Sequence, residues 1–116
     1  MNAAQMFAHC AEVQEVANGK ELVGTPLVIR LFGRLIRRMV LSDRPYSRSV
    51  RTHPQYIQAR ECDFETEKRR LLSVLDSFVD AGPRPLDHPL FGHMSAEETG
   101  RSCRKHLDHH LTQFGV

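Results

Sequence analysis

The sequence predicts an all-α fold of the four-helix-bundle type. Three observations support this prediction. Glycine and proline divide the chain into four segments with helical periodicity, and the connections between these helices are mostly short. No part of the chain shows the sustained alternation of apolar and polar residues that is typical of a strand. The chain has 116 residues, of which 41% are hydrophobic, so we expect residues 1–116 to form a single helical-bundle domain with one core.

The first two predicted helices span residues 3–17 and 27–41. Asn2 can cap the first helix, and Gln5 stands three positions later, where a capping box needs it. Gly33 interrupts the second helix at a cost of about 1 kcal/mol relative to alanine, which argues against a regular helix there. The apolar residues spaced for burial along one side of this second segment are Val28, Leu31, Phe32, Leu35, Ile36 and Met39.

The last two predicted helices follow an irregular stretch, residues 42–61, which contains two prolines. The third helix begins after Asp63, a good N-cap, and ends at Gly82. The fourth begins with the SAEE sequence of residues 95–98, a full capping box, and ends at Gly115. The apolar positions predicted to form the core stripe of the third helix are Leu71, Leu72, Leu75, Phe78 and Val79.

Composition places the protein in a reducing compartment, and we expect a cytoplasmic location. Cys10, Cys62 and Cys103 are an odd, widely spaced set without a CxxC motif, which is typical of free thiols. No apolar run approaches the roughly 20 residues of a membrane span, and no signal peptide is visible. A membrane is therefore not an expected partner.

The strongest chemical signal is the pair His106 and His110 in the last predicted helix. Residues four apart lie one turn apart on the same helix face, so two neutral imidazoles can point at a single metal ion. A pair of this kind alone is more often a solvated polar face, and a metal site needs a further ligand from elsewhere. His109 lies about 100° around the helix from His110, which indicates a surface residue or a neighbour of the site.

Arginine is concentrated in residues 30–51, where seven arginines stand against the single acid Asp43. The stretch could bind an anionic substrate or nucleic acid. Aromatic residues for base stacking are scarce there, with only Phe32, predicted to be buried, and Tyr46. A solvated basic face is the simpler interpretation, and nucleic acid is not the expected partner.

Both ends of the chain resemble a known superfamily. The C-terminal sequence HPLFGHMSAEETGRSCRKHLDHHLTQFG and the opening MNAAQMFAHCAEVQEVANGK are similar to the DinB-like, or YfiT-like, superfamily of metalloenzymes, most of all to a branch whose members end in KHLDHHLxQFG. The arginine-rich middle matches only loosely. The resemblance implies a bundle that holds a divalent metal ion through three histidines, at the matching positions His9, His106 and His110.

The resemblance also implies a function. It suggests a divalent-metal-dependent enzyme with thiol-dependent transferase or hydrolase chemistry, acting on a small molecule with Zn, Ni or Fe as the metal and a low-molecular-weight thiol as a second cofactor. Gln113 falls where the superfamily often has a glutamine after the histidine motif, and it is a candidate to support the site from beyond the ligands. Glu12 could accept a hydrogen bond from a ligand imidazole or from a metal-bound water, although its simpler interpretation is an exposed charge. Cys103 could be a fourth, softer metal ligand, but the simpler interpretation is a small residue of the core. The alternative is a non-catalytic helical interaction or nucleic-acid-binding module that uses residues 30–51.

Relative to the superfamily pattern, the chain begins at the second helix, and we expect the first bundle helix to be absent. A bundle without one helix exposes an apolar stripe of several hundred square ångströms, more than monomers usually show. We therefore expect an uncovered groove of Leu, Met and Phe side chains, or a homo-oligomer, most simply a dimer, in which a second copy fills it.

Overall fold

A computed structural model describes residues 1–46 and 53–116. It contains α1 (Ala3–Ala17), α2 (Leu27–Leu31), α3 (Gly33–Leu41), a 3₁₀ turn (Pro54–Tyr56), α4 (Phe64–Ala81), β1 (Leu86–His88), β2 (Gly92–Met94) and α5 (Ala96–Gln113). Helices dominate these ranges, so the predicted all-α, bundle-type fold class is confirmed. No helix in the described ranges has both the length and the apolar character needed to cross a bilayer.

The helix α1 is the centre of the fold. It packs against α4 along one side and against α5 along another, and most of its residues are buried. Asn2 and Gln5 form the predicted capping box, with 2.8 and 2.9 Å hydrogen bonds between each side chain and the other residue's backbone N–H. The core consists of Met6, Cys10, Ala11 and Leu71, packed against Phe7, Val74, Leu75, Leu107 and Leu111.

The second predicted helix is divided in two at Phe32, between α2 and α3. A carbonyl group of the hairpin turn approaches this break closely: a Cβ atom added at Gly33 would lie 2.5 Å from the oxygen of Leu90. Glycine is therefore required here by contact with another element, and its φ angle is not in the positive range. The irregularity that Gly33 indicated in the sequence is present.

The predicted burial of the apolar side of this segment is wrong for most of its residues. The large apolar side chains left exposed on α2, on α3 and at their junction are Leu27, Val28, Leu31, Phe32 and Leu35. The segment packs through its opposite side instead, where Ile29 and Gly33 are buried. On α4, Leu72 and Val79 are also exposed, although they were expected in the core. The expectation of a dimer stays a prediction.

A short β-hairpin connects α4 to α5, which corrects the expectation that the chain has no strands. Leu86 pairs with Met94 and His88 with Gly92 in antiparallel register. Gly92 has a φ angle of +72°, which the turn requires and glycine adopts without strain. Each strand has only three residues, too few for alternation to be recognised in the sequence.

His88, at the end of β1 in this hairpin, is held as an uncharged side chain. The Nδ1 atom of His88 accepts a 3.1 Å hydrogen bond from the backbone N–H of Leu90, and the ring stacks on Phe91 with centroids 4.3 Å apart. Burial lowers the pKa of His88 to about 4. An imidazole that accepts a backbone hydrogen bond through its bare nitrogen must stay neutral to keep that bond.

We expect Gly33→Ala to lower the free energy of unfolding by about 1–3 kcal/mol, because the added methyl group would force the Leu90 carbonyl away. Gly100→Ala is the matched control, since its Cβ would meet only Pro83 at 3.6 Å. That variant should gain up to about 1 kcal/mol from helix propensity. Equal denaturant midpoints for the two variants would contradict the close approach.

We expect the stability contributed by His88 to disappear in acid. The folded-state pKa of about 4 lies below the unfolded value near 6.5, so this contribution is complete above pH 6.5 and is lost as the pH falls towards 4. Between pH 7 and 4.5 the advantage of the wild type over His88→Gln should shrink by roughly 2 kcal/mol in denaturant titrations. A pH-independent difference would show that His88 is not held neutral.

Candidate metal centre

Three histidine rings from opposite ends of the chain meet inside the bundle. The Nε2 atom of His9 lies 3.0 Å from Nε2 of His106 and 3.0 Å from Nε2 of His110. Taken together, the ligand atoms of the three residues lie within 4.8 Å of one another. The structure therefore brings together the three residues that the resemblance implies as ligands, and their role in metal binding stays a prediction.

Two helices position these rings. His9 lies on the buried side of α1, while His106 and His110 stand one turn apart on the side of α5 that faces it. The capping box between Ser95 and Glu98 satisfies the backbone N–H groups of these two residues and fixes where α5 begins. The i,i+4 spacing then places both α5 imidazoles beside His9.

Hydrogen bonds at the far side of two rings determine which nitrogen carries the proton. The Nδ1 atom of His9 lies 2.8 Å from the backbone carbonyl oxygen of Tyr56, which can only accept, so Nδ1 carries the hydrogen and donates. The Nδ1 atom of His110 likewise donates to Oε1 of Gln113 at 3.0 Å. Both neutral rings consequently present a bare Nε2 towards the shared point.

This arrangement fits a divalent metal ion. Two bare nitrogen lone pairs facing each other at 3.0 Å repel, and a cation between them converts that repulsion into coordination. Imidazole suits Zn²⁺, Ni²⁺ and Fe²⁺ alike, so the donor set leaves the identity of the metal open. Three protein nitrogens also leave a coordination position free for another molecule, which is typical of catalytic sites.

Burial keeps the three rings neutral. Desolvation, and then the proximity of His9 and His110, lower the pKa of His106 well below its ordinary value. Burial, followed by the proximity of His9, lowers the pKa of His110 to about 4. The pKa of His9 is also lowered, mainly by burial. At neutral pH all three therefore carry the lone pairs that metal coordination requires.

The two residues proposed to hydrogen-bond a ligand have different surroundings. The Oε1 atom of Gln113 accepts a hydrogen bond from the ring of His110. The Glu12 side chain is buried, which contradicts the simple interpretation as an exposed charge, and it faces cations instead of imidazoles. It pairs with Nη2 of Arg70 at 2.6 Å and with Nζ of Lys20 at 2.8 Å. Burial favours its neutral form, but hydrogen bonds from Lys20, Gln55 and Arg70 outweigh that effect and lower its pKa.

Glu12 is nevertheless connected to the histidine cluster indirectly, through a hydrogen bond to Gln55. The Gln55 amide donates to Oε1 of Glu12 at 2.9 Å and accepts from the backbone N–H of Val23 at 2.9 Å. These bonds hold the 3₁₀ turn in which Tyr56 presents its carbonyl to His9. Sequence reasoning missed this support, because a backbone carbonyl contributes no residue-specific signal.

His109 and Cys103, which are close in sequence to the ligand candidates His106 and His110 on α5, lie outside the histidine cluster. The ring of His109 packs edge-on against Tyr46, with centroids 5.1 Å apart, and its position is consistent with the expected neighbour of the site. Cys103 is half-buried, and desolvation raises the pKa of its thiol. Among the described residues, the cluster suited to a metal ion contains neither side chain.

Most arginine side chains in the described part of the arginine-rich stretch are exposed to solvent. The exposed arginines there are Arg30, Arg34, Arg38 and Arg44. Arg37 forms a 2.7 Å ion pair with Glu98 on α5, which ties α3 to that helix. Phe32 is 53% exposed, so its predicted burial is wrong. Arg48 and Arg51 lie outside the described residues.

Comparison with known proteins identifies the family. A family model described as "Protein of unknown function (DUF1569)" matches residues 1–115. No curated protein and no solved structure matches the chain. Because the match extends over nearly all of the 116 residues, the chain belongs to the DUF1569 family.

Proposed function

We propose that this protein is a divalent-metal-dependent enzyme of the DinB-like, or YfiT-like, superfamily, with His9, His106 and His110 as the metal ligands. The observation that carries the proposal is the meeting of three Nε2 atoms, two of them 3.0 Å from that of His9. The sequence resemblance at both ends of the chain and the helical fold support the same assignment.

The surroundings of the histidines support an active role more than a structural one. A structural site closes its coordination shell with four protein ligands, whereas the cluster in the described chain offers three. The chemistry that a divalent ion supplies in such a site is Lewis-acid activation of a bound molecule. The Tyr56 carbonyl and Gln113 would orient the two imidazoles and increase their basicity as ligands.

Within this assignment, we propose transferase or hydrolase chemistry on a small molecule. A low-molecular-weight thiol as co-substrate rests on the resemblance alone. The Cys103 thiol is not a candidate nucleophile of the chain itself, because burial raises its pKa and keeps it protonated. The bare imidazole nitrogens are instead the groups that this chain contributes to activation.

A second candidate function is a non-catalytic interaction module. The observation that favours it is the exposed face of α2 and α3, where Leu31 and Leu35 lie beside exposed Arg30 and Arg34. A partner or nucleic acid bound through that face would need no metal ion. Metal content therefore separates the two functions.

We expect the wild type, purified with added Zn²⁺ and desalted, to retain about one ion per chain by elemental analysis. His106→Ala should lose it, because two remaining imidazoles hold the ion too weakly to survive desalting. His109→Ala is the matched control on the same helix and should keep the full equivalent. Equal metal in His106→Ala and the wild type would place the site elsewhere.

We expect Gln113→Ala to weaken Zn²⁺ affinity by about 10–100-fold while leaving the stoichiometry unchanged. Without the Gln113 acceptor, the ring of His110 loses the bond that fixes its tautomer and orientation. Competition with a chromophoric chelator measures the affinity. Thr112→Ala, an exposed neighbour on α5, is the control, and matching affinities for the two variants would remove Gln113 from the site.

A further inference from the structure

A cavity of about 440 Å³ opens beside the three histidines. This volume lies in the range of sites for small organic molecules. The histidines form one part of its lining. Other lining side chains come from α1, the α2–α3 segment, the hairpin and α5, and from Met1, Tyr46 and residues 53–58 around the 3₁₀ turn. The apolar lining residues include Val13, Ile29, Ile36, Met39, Phe91 and Met94.

Several polar side chains of the lining already have partners within the chain. The hydroxyl groups of Thr99 and Ser102 donate to backbone carbonyl oxygens of their own helix, at 3.0 and 2.9 Å. His53 accepts from the backbone N–H of Gln55 through Nδ1, and its Nε2 lies 3.0 Å from the Thr25 hydroxyl. These groups are therefore not free to recognise a strongly polar ligand.

The described lining also carries no Asp, Glu, Lys or Arg. Two of its titratable groups, Tyr46 and His88, stay uncharged at neutral pH, because burial raises the pKa of Tyr46 to about 12 and lowers the pKa of His88 to about 4. A charged molecule would lose its hydration in this space without gaining an opposite charge from the described residues. An apolar molecule would meet no such penalty.

We propose that this cavity binds an uncharged, largely apolar organic molecule whose single electron-pair donor points at His9, His106 and His110. The inference rests on the proposed function, because the donor completes the coordination of the ion held there. It adds the class of substrate: the size of the cavity and a described lining without Asp, Glu, Lys or Arg select an aromatic or branched aliphatic body over a sugar, a phosphate or an amino acid. The free coordination position selects the donor.

Three ligands with the same donor test this proposal on protein loaded with Co²⁺, whose visible spectrum reports coordination. Imidazole offers the donor alone, 4-phenylimidazole adds an uncharged apolar body, and 4-(1H-imidazol-4-yl)benzoate adds the same body with a charge. We expect 4-phenylimidazole to bind at least tenfold more tightly than imidazole, because the phenyl ring is buried. The benzoate should lose most of that gain.

Two neighbouring substitutions locate the binding. Ile36→Phe should fill the cavity and reduce 4-phenylimidazole affinity at least tenfold while leaving imidazole affinity and cobalt content unchanged. Leu35→Phe is the matched control, since Leu35 is 62% exposed on the same helix, and it should change neither affinity. Equal effects of the two variants would move the phenyl group out of the cavity and overturn the proposal.

The remaining outcomes separate failure of the apolar-ligand proposal from failure of the proposed metal-dependent function. Cobalt bound stoichiometrically, with equal affinities for imidazole and 4-phenylimidazole, would overturn the apolar-ligand proposal and leave the proposed function intact. Benzoate binding as tight as that of 4-phenylimidazole would overturn the selection of uncharged molecules in the same way. Failure to bind cobalt at all would overturn both the proposed function and this inference.

Discussion

The 2.8 Å hydrogen bond from Nδ1 of His9 to the Tyr56 carbonyl is the constraint on which the centre depends. It fixes the tautomer of the ring and turns its bare nitrogen towards α5. The carbonyl is itself held in place, because Gln55 ties the 3₁₀ turn to Glu12, and Glu12 is paired with Arg70 on α4. The α1–α4 interface is thus coupled to the orientation of an imidazole whose partners lie on a third helix.

The parts of this arrangement that follow from local rules could be predicted from the sequence. Helix ends marked by side-chain caps, such as Asn2 and Ser95, appear where the capping boxes indicated them. The i,i+4 spacing of His106 and His110 defines a shared helix face without any knowledge of the fold. His9 was harder, because nothing near it in the chain marks it, and only the resemblance paired it with the last helix.

Features that depend on contacts between distant segments could not be predicted in this way. Periodicity shows which side of a helix is apolar, but not whether another element covers it, and Leu31 and Leu35 therefore remain exposed against expectation. In the sequence, Gly33 indicates only a weak position in a helix. The structure shows that position 33 requires glycine because the Leu90 carbonyl of the hairpin lies too close for a Cβ atom. The Tyr56 carbonyl belongs to the same class, because every residue has a backbone carbonyl and only the fold places this one beside His9.

Burial links the chemistry of the centre to the character of the cavity beside it. Removing water from the rings disfavours their protonated forms, which is why the pKa of His110 falls to about 4 and its nitrogen stays available. The same low polarity strengthens any interaction between a cation at this point and a donor atom nearby. Apolar walls such as Ile36 and Met94 belong to this environment of low polarity, which favours bare ligand nitrogens and would disfavour charged molecules beside an ion held there. A more polar cavity would weaken both effects together, and this would couple the proposed reactivity of the centre to its proposed selectivity.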